Sequence, residues 1–335
     1  MPLIIEPKEV RNILADYRAR KISMPCFCAE NTFTMEGILK GAAKVADSTG
    51  RNAAVFVAAT GNYHGRQQLK NYTSLDNTEE GFLAFRDDLK RMTRKGGAFE
   101  NVYAIASLDH GQPGLDEYLF EEGKGFWGCV MYDCSAMSLD ENRSRVTEFV
   151  KKNRDNYVVE GCVDEISESG DGGVKLTNPN DAKKYLEETG VDLMVVNLGT
   201  EHRATAADIK YRSDIAKQIY DKVGHKLVLH GTSSLSRDDL SLLKNDGIAK
   251  VNIWTVLETK TSQDMMVELI KHLRKILPAS KIKELIEDGL LGAEFAGDSS
   301  DKPELKYLTE VYRRSLIKTP SVAKMVEEFM RTFGY

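Results

Sequence analysis

Short apolar segments alternate with amphipathic helical segments along most of this chain of 335 residues. Apolar runs bounded by turn residues predict buried strands, and apolar positions at helical spacing predict helices packed against them. Strands are predicted at Met24–Ala29, Ala53–Ala59, Val102–Leu108, Gly128–Tyr132, Tyr157–Cys162, Asp192–Leu198, Lys226–Leu229 and Ala249–Ile253. Helices are predicted between them at Met35–Ala46, Glu79–Thr93, Leu115–Glu122, Asp140–Asn153, Asn180–Thr189, Ser213–Val223 and Ser236–Asn245.

Eight strands that alternate with helices, without a linker, predict an α/β protein built as a (β/α)8 TIM barrel. A doubly wound sheet is the alternative, but no G-x-G-x-x-G pattern follows the first strand. The segment 1–20, with the pattern Glu9–Arg20, predicts an N-terminal capping helix. Trp254–Ile276 and Val322–Thr332 predict helices after the eighth strand, and 277–335 is a C-terminal helical extension. We therefore expect one barrel domain spanning residues 1–335.

Composition narrows the class of protein. The formal charge is −5 and there is no polybasic tract, which argues against nucleic acid or an anionic membrane as a partner. The chain has neither the apolar run of a membrane-spanning helix nor the pattern of a signal peptide. Five cysteines without a C-x-x-C pair are typical of a reduced, cytoplasmic protein.

Three histidines stand at the ends of predicted strands: His110, His202 and His230. Active sites of TIM barrels form where the strands end, so these side chains can converge from distant parts of the sequence. One such histidine alone is more simply a polar residue at a strand end. Three at one end have the number and type of ligands found in catalytic zinc sites.

Asp109 precedes the first of these histidines. Adjacent strand residues face opposite sides, so Asp109 and His110 can share a site only if the strand has ended there. As a neighbour of a metal ligand, Asp109 would be either a supporting carboxylate or a general acid/base, and the sequence leaves both open.

Two loops are further candidates. Residues 230–234, His-Gly-Thr-Ser-Ser, offer backbone N–H groups before a helix, which suits a phosphate, although an ordinary turn with an N-cap at Ser236 fits equally. The acidic, glycine-ended segment 164–173 is either a solvated loop or a lid that brings a carboxylate to the site.

The order and spacing of six segments resemble the class II, zinc-dependent ketose-bisphosphate aldolases, the fructose- and tagatose-bisphosphate aldolase family. The resemblance covers most of the chain. The segments are Ser107–Gly111, Met131–Ser135 with Glu141-Asn142, Val159–Gly161, Leu198–His202, Leu229–Ser233 and Val251–Thr255.

The resemblance implies roles for individual residues. His110, His202 and His230 would bind Zn²⁺, and Asp109 would move the proton of the hydroxyl that becomes the aldehyde. Asn252 would help to hold the enediolate oxygen, and Gly231, Ser233 and Thr255 would hold a phosphate. Such a metal stabilises the enediolate left when the bond beside a ketose carbonyl breaks, so no lysine Schiff base is needed. The family is commonly dimeric or larger, which implies a homo-oligomer.

The sequence departs from the family pattern around the predicted substrate. Cys162 replaces a glutamate, Arg203 follows the second zinc histidine in place of glycine, and Trp254 replaces an acid or amide. Other departures lie at Cys28, in the turn at residues 231–234 and in the lid acids Glu165, Glu168 and Asp171. Glu168 lies nearest to the expected proton-abstracting glutamate, with Glu165 as the reserve. Trp254 either packs outward or fills one end of the pocket, leaving Arg203 to meet an anionic group.

Three hypotheses follow. The first is a cytoplasmic, zinc-dependent lyase acting on a ketose phosphate other than fructose 1,6-bisphosphate. The second is a metal-dependent sugar-phosphate isomerase or epimerase that forms the same enediolate without breaking a C–C bond. The third is a non-catalytic, aldolase-like barrel, against which Asp109 and the three histidines argue.

Overall fold

The computed structural model describes residues 2–165, 176–200, 211–297 and 302–335. Eight parallel strands pair in sequence order and close into a barrel through β1 and β8, where Met24 lies opposite Lys250. The predicted (β/α)8 fold is therefore confirmed. The strands are β1 Met24–Cys28, β2 Ala53–Thr60, β3 Val102–Gly111, β4 Cys129–Tyr132, β5 Val158–Cys162, β6 Leu193–Val195, β7 Leu227–Leu229 and β8 Ile248–Ile253.

Helices surround the barrel and extend beyond its last strand. The α-helices are α1 Pro7–Ala19, α2 Thr32–Thr49, α3 Gln68–Tyr72, α4 Thr78–Met92, α5 Glu117–Glu122, α6 Leu139–Asn153, α7 Pro179–Thr189, α8 Ser213–Val223, α9 Arg237–Leu242, α10 Thr255–Lys271, α11 Leu273–Ile276, α12 Ala279–Glu287, α13 Leu305–Leu308 and α14 Thr319–Thr332. Shorter 3₁₀ and π segments are Thr232–Ser234, Leu243–Asn245, Ala293–Ala296 and Tyr312–Lys318.

The predicted helix from Trp254 to Ile276 is wrong as one continuous element. It breaks at His272, which ends α10 and precedes the single turn of α11. The short helix α3 was also missed by the pattern of the sequence. Helices of one or two turns contain too few residues to display a 3.6-residue period, so their apolar positions carry little signal.

The strands are buried on both faces because side chains alternate between the barrel interior and the surrounding helices. In β2, Phe56 belongs to the interior apolar cluster, whereas Val55 and Val57 belong to the outer one. Complete burial explains why the strands read as continuous apolar runs. It also means that any charged group on an interior position must be paired.

The N-terminal helix lies near the ends where the strands begin. Tyr17 of α1 belongs to the interior cluster and accepts a 2.8 Å hydrogen bond from the backbone N–H of Ala54. Arg11 forms a 2.7 Å ion pair with Asp192, which directly precedes β6. These contacts leave the opposite end of the barrel for the candidate site. Among the described residues, no helix combines the length and apolar character needed to cross a bilayer.

Candidate active site

The backbone at His110 brings two neighbouring polar side chains to one place. Strand β3 does not end at Leu108, as the sequence predicts, but continues to Gly111. His110 has φ of 48°, in the left-handed region that non-glycine residues rarely occupy. The pairing of β3 with β4 shifts register between Leu108 and Gly111. This interruption of the strand alternation lets the side chains of Asp109 and His110 share a site.

Asp109 is fully buried, and both of its carboxylate oxygens have partners. Oδ1 accepts a 2.8 Å hydrogen bond from Nδ2 of Asn252, and Oδ2 accepts a 2.5 Å bond from Nη2 of Arg66. Burial alone would raise the pKa of Asp109, but His110 and Arg66 outweigh burial and hold the pKa well below its usual range. Asp109 is therefore a carboxylate at neutral pH.

His110 is fixed by a second carboxylate. Its Nδ1 lies 2.6 Å from Oδ2 of Asp133, whose Oδ1 accepts hydrogen bonds from Ser135. Burial would raise the pKa of Asp133, but its interactions with His110 and its hydrogen bonds from Ser135 together outweigh burial and lower it. Because a carboxylate can only accept here, Nδ1 is the donor, and in the neutral ring Nε2 would offer the lone pair that a metal requires.

His230, directly after β7, meets His110 across the barrel mouth. The two rings are edge to face, with centroids 4.9 Å apart. Burial lowers the pKa of His230, which favours the neutral imidazole that binds metals. One ligand atom from each of Asp109, His110 and His230 lies within 4.8 Å of the others. This donor set fits a divalent transition metal.

The remaining predicted metal and lid residues are only partly described. His202, Glu168 and Arg203 lie outside the described residues. Glu165 is described and its side chain is exposed. Cys162 is buried and its Sγ lies 3.1 Å from the carbonyl oxygen of Asp164, while burial raises its thiol pKa well above the usual range. It is therefore a thiol that donates to a carbonyl.

A buried ion pair lies beneath His230 in the barrel interior. Nζ of Lys250 is 2.7 Å from Oε2 of Glu160, and both side chains are completely buried. Oε1 of Glu160 lies 3.7 Å from Nε2 of His230. Burial would raise the pKa of Glu160, but Lys250 and His230 together outweigh burial and lower it. Each charge of the pair neutralises the other inside the barrel, directly beside His230.

The predicted phosphate turn lies beside these residues. Gly231 has φ of 68°, which glycine adopts without strain, and a 3₁₀ turn, Thr232–Ser234, follows it. Thr232 donates a 2.8 Å hydrogen bond to the carbonyl of Asn252, tying the turn after β7 to β8. Helix α10 begins at Thr255 and lacks a side-chain cap. The first N–H groups of a helix have no partner within the helix itself, so within the described part of the chain they can meet an acceptor.

Trp254 faces the mouth of the barrel. It is half-buried, packs against the interior cluster and donates through Nε1 to Oε1 of Glu30. The same oxygen accepts a 2.7 Å bond from Gln68. A recess, which we call the β7–β8 recess, is lined by Arg66, Gly231, Ser233, Trp254 and Thr255.

The sequence analysis missed Arg66 and Glu30. Both lie in loops directly after strands, Glu30 after β1 and Arg66 after β2, as the predicted residues do after theirs. Position at a strand end was thus the available signal. Arginine and glutamate are common in exposed loops, so their residue types add little to that signal.

The chain is similar to known proteins over nearly its whole length. The family described as fructose-bisphosphate aldolase class-II matches residues 8–334. A fructose-bisphosphate aldolase of Giardia intestinalis is 29% identical over 249 residues, covering 71% of this chain and 69% of that protein. The uncharacterized protein YdjI of Escherichia coli K12 is 31% identical over 219 residues, covering 61% and 78% respectively.

A solved structure shares the fold. The fructose-bisphosphate aldolase of Campylobacter jejuni superimposes with a TM-score of 0.74 at 18% identity, covering 99% of this chain and 95% of that one. The similarity in sequence and the barrel, with its polar residues gathered at the strand ends, lead to the same assignment. This chain belongs to the class II fructose-bisphosphate aldolase family and is a lyase of the aldolase type.

Proposed function

We propose that this protein is a zinc-dependent aldolase that makes or breaks the C–C bond beside the carbonyl of a ketose phosphate. The observation that carries the proposal is the convergence of Asp109, His110 and His230, whose ligand atoms lie within 4.8 Å of one another. A buried carboxylate beside two histidine rings is suited to proton transfer next to a metal.

His110 and His230, together with His202, would hold the metal. Asp133 supports this assignment because it orients His110 through Nδ1. Nitrogen ligands of this type favour zinc. When bound, the ion acts as a Lewis acid that stabilises negative charge developing on the substrate oxygens.

Asp109 is assigned to proton transfer. Both of its oxygens already accept hydrogen bonds from side chains, which favours this role over direct metal binding. In the cleavage direction, its carboxylate accepts the hydroxyl proton of the carbon that becomes the aldehyde. The C–C bond then breaks, and its electron pair passes to the carbonyl-bearing fragment, which is protonated afterwards. In synthesis, the same proton returns to the new hydroxyl.

Asn252 and the lid complete the proposed site. Asn252 fixes Asp109 through Nδ2 and lies beside the reacting centre, where it would also orient a substrate oxygen. Glu168 remains our proposed acid/base for the carbon proton, with Glu165 as the reserve. Gly231, Ser233 and Thr255 would hold a phosphate, which the uncapped start of α10 supports.

The substrate is proposed to differ from fructose 1,6-bisphosphate, on which two of the relatives named above act by name. Trp254 supports this difference because its indole lines the β7–β8 recess and donates a hydrogen bond to Glu30. A bulky ring with a single donor changes both the volume and the hydrogen-bonding of a sugar pocket. Arg203 would then contact an anionic group of the substrate.

The decisive experiment assays the zinc-loaded enzyme with a panel of phosphorylated ketoses and reduces any aldehyde product with a coupled dehydrogenase. Aldehyde release is expected from at least one ketose and should disappear in His230→Ala, which should also lose the metal. His272→Ala, in the C-terminal helices, is the control and should retain both. Isomerised ketose without aldehyde would identify an isomerase or epimerase. Full activity after chelation would refute the zinc proposal.

We also propose a cytoplasmic homo-oligomer. The five cysteines are buried free thiols, which suits a reducing compartment. Leu290, Leu305 and Val311 in the C-terminal extension are 71%, 74% and 64% exposed, and a second subunit would cover such apolar side chains. Cell fractionation tests the cytoplasmic location. Light scattering tests the oligomeric state, and a monomer at micromolar concentration would overturn the proposed oligomer.

A further inference from the structure

Arg66 is an enclosed cation at the edge of the candidate site. Its side chain is 7% exposed, and its backbone carbonyl accepts a hydrogen bond from Thr60 at the end of β2. Its guanidinium carbon lies 5.6 Å from the ring centroid of Tyr63 and 5.1 Å from that of Trp254. The two rings therefore hold the planar guanidinium in one orientation.

Most donors of Arg66 have no partner among the described residues. A guanidinium has five N–H donors, and within that part of the chain this one makes a single hydrogen bond, from Nη2 to Asp109. Among the described residues, Nε is buried without any acceptor. Burial alone would lower the pKa of the Arg66 guanidinium, but the neighbouring groups, with Asp109 foremost among them, together outweigh burial and raise it. A buried, charged donor without an acceptor is costly unless a ligand supplies one.

The β7–β8 recess is where such a ligand can lie. Arg66 lines it together with Gly231, Ser233 and Thr255, and Thr255 is the first residue of α10, which has no side-chain cap. The recess thus brings together backbone N–H groups, a guanidinium and the N-terminus of a 17-residue helix. Each of these favours an anion with several acceptor oxygens.

We propose that Arg66 binds the phosphate monoester of the ketose substrate in the β7–β8 recess and so selects phosphorylated over unphosphorylated ketoses. This inference rests on the function proposed above and adds a residue from the β2 loop to the recess. The guanidinium fork can keep Nη2 on Asp109 while its other N–H groups contact phosphate oxygens. Arg66 thereby fixes the distance between the phosphate and the proton-transfer carboxylate.

The test compares dihydroxyacetone phosphate with dihydroxyacetone, using the zinc-loaded protein and isothermal calorimetry. Arg66→Met should weaken binding of the phosphorylated probe by about 10- to 100-fold, as expected for a lost hydrogen bond to a charged group, and leave the unphosphorylated probe unchanged. Arg66→Lys, which keeps the charge but not the fork, should recover part of the loss. Arg91→Met, at an exposed arginine on α4, is the matched control and should bind as the wild type does.

Steady-state kinetics and inorganic phosphate complete the test. Arg66→Met should raise KM for phosphorylated ketoses more than it lowers kcat. Inorganic phosphate should compete with the phosphorylated ketose in the wild type but not in Arg66→Met. Equal losses for both probes, or a fall in kcat alone, would show that Arg66 acts only through Asp109 and would overturn the proposal. Should the wild type bind dihydroxyacetone phosphate through Arg66 without forming any aldol product, the proposed reaction fails while the phosphate site stands. Thermal unfolding verifies that Arg66→Met, Arg66→Lys and Arg91→Met are folded.

Discussion

The side-chain amide of Asn252 donates a 2.8 Å hydrogen bond to Oδ1 of Asp109, joining β8 to β3 across 143 residues of sequence. Arg66 holds the other oxygen of the same carboxylate from the loop after β2. Asp109 is therefore held from both sides by donors. That arrangement positions a proton acceptor without requiring it to bind metal, and it makes the two roles separable by mutation.

We expect Asp109→Asn to retain the metal while kcat falls by about 10²- to 10⁴-fold, because an amide cannot accept and return the hydroxyl proton. Metal content by atomic emission and kcat on the same preparation check this. Asp140→Asn, which changes an exposed carboxylate on α6, is the control for loss of one negative charge. Loss of the metal from Asp109→Asn would instead place this residue among the ligands.

Asp133→Asn should weaken metal binding by about 10- to 100-fold, the usual effect of removing a carboxylate that orients a ligating histidine. The reason is the 2.6 Å contact with Nδ1 of His110, which fixes the ring and its tautomer. Competition with a chromogenic chelator measures the affinity. Unchanged affinity, in a variant that unfolds at the wild-type temperature, would show that Asp133 supports only the loop after β4.

Lys250→Met should lower the free energy of unfolding by about 3–5 kcal/mol, because it leaves the carboxylate of Glu160 buried without its cation. The double variant Lys250→Met with Glu160→Gln should regain part of this stability, since it also removes the unpaired charge. Urea unfolding of the two variants and of Lys244→Met, a lysine outside the barrel strands, provides the comparison. Equal stability of wild type and Lys250→Met would contradict the structure.

Acid should weaken the same ion pair. The folded pKa of Glu160 lies below its ordinary 4.5. Its ionised form therefore stabilises the fold fully at pH values above 4.5, and this contribution is lost as the pH falls through the lower folded pKa. The difference in unfolding free energy between wild type and Glu160→Gln should be constant near neutral pH and shrink on acidification below that value. A difference that grows in acid would have the wrong sign.

Fructose 1,6-bisphosphate should be a poor substrate, and Trp254→Ser should raise its kcat/KM relative to the preferred ketose. Serine removes the indole from the β7–β8 recess without adding a charge beside Glu30. Trp254→Phe retains the bulk and should not produce this gain. Efficient cleavage of fructose 1,6-bisphosphate by the wild type, unaffected by either change, would mean that Trp254 has no role in substrate choice.

The sequence by itself determined the barrel. Strands buried on both faces must be continuously apolar, so β2 and β3 could be located from composition and length alone. Polar residues that follow such strands stand out for the same reason, which led to Asp109, His110 and His230. The sequence could place them at one end of the barrel because parallel strands that close into a ring bring their ends together.

Only the tertiary structure decided how these residues meet. The left-handed backbone at His110 places the side chains of Asp109 and His110 in one site. The pattern of hydrophobic residues does not encode the conformation of a single residue. The partners Arg66 for Asp109, Asp133 for His110 and Glu160 for Lys250 come from different strands or loops. Such pairings depend on barrel register and on packing between residues far apart in the sequence. Local sequence patterns carry no information on either.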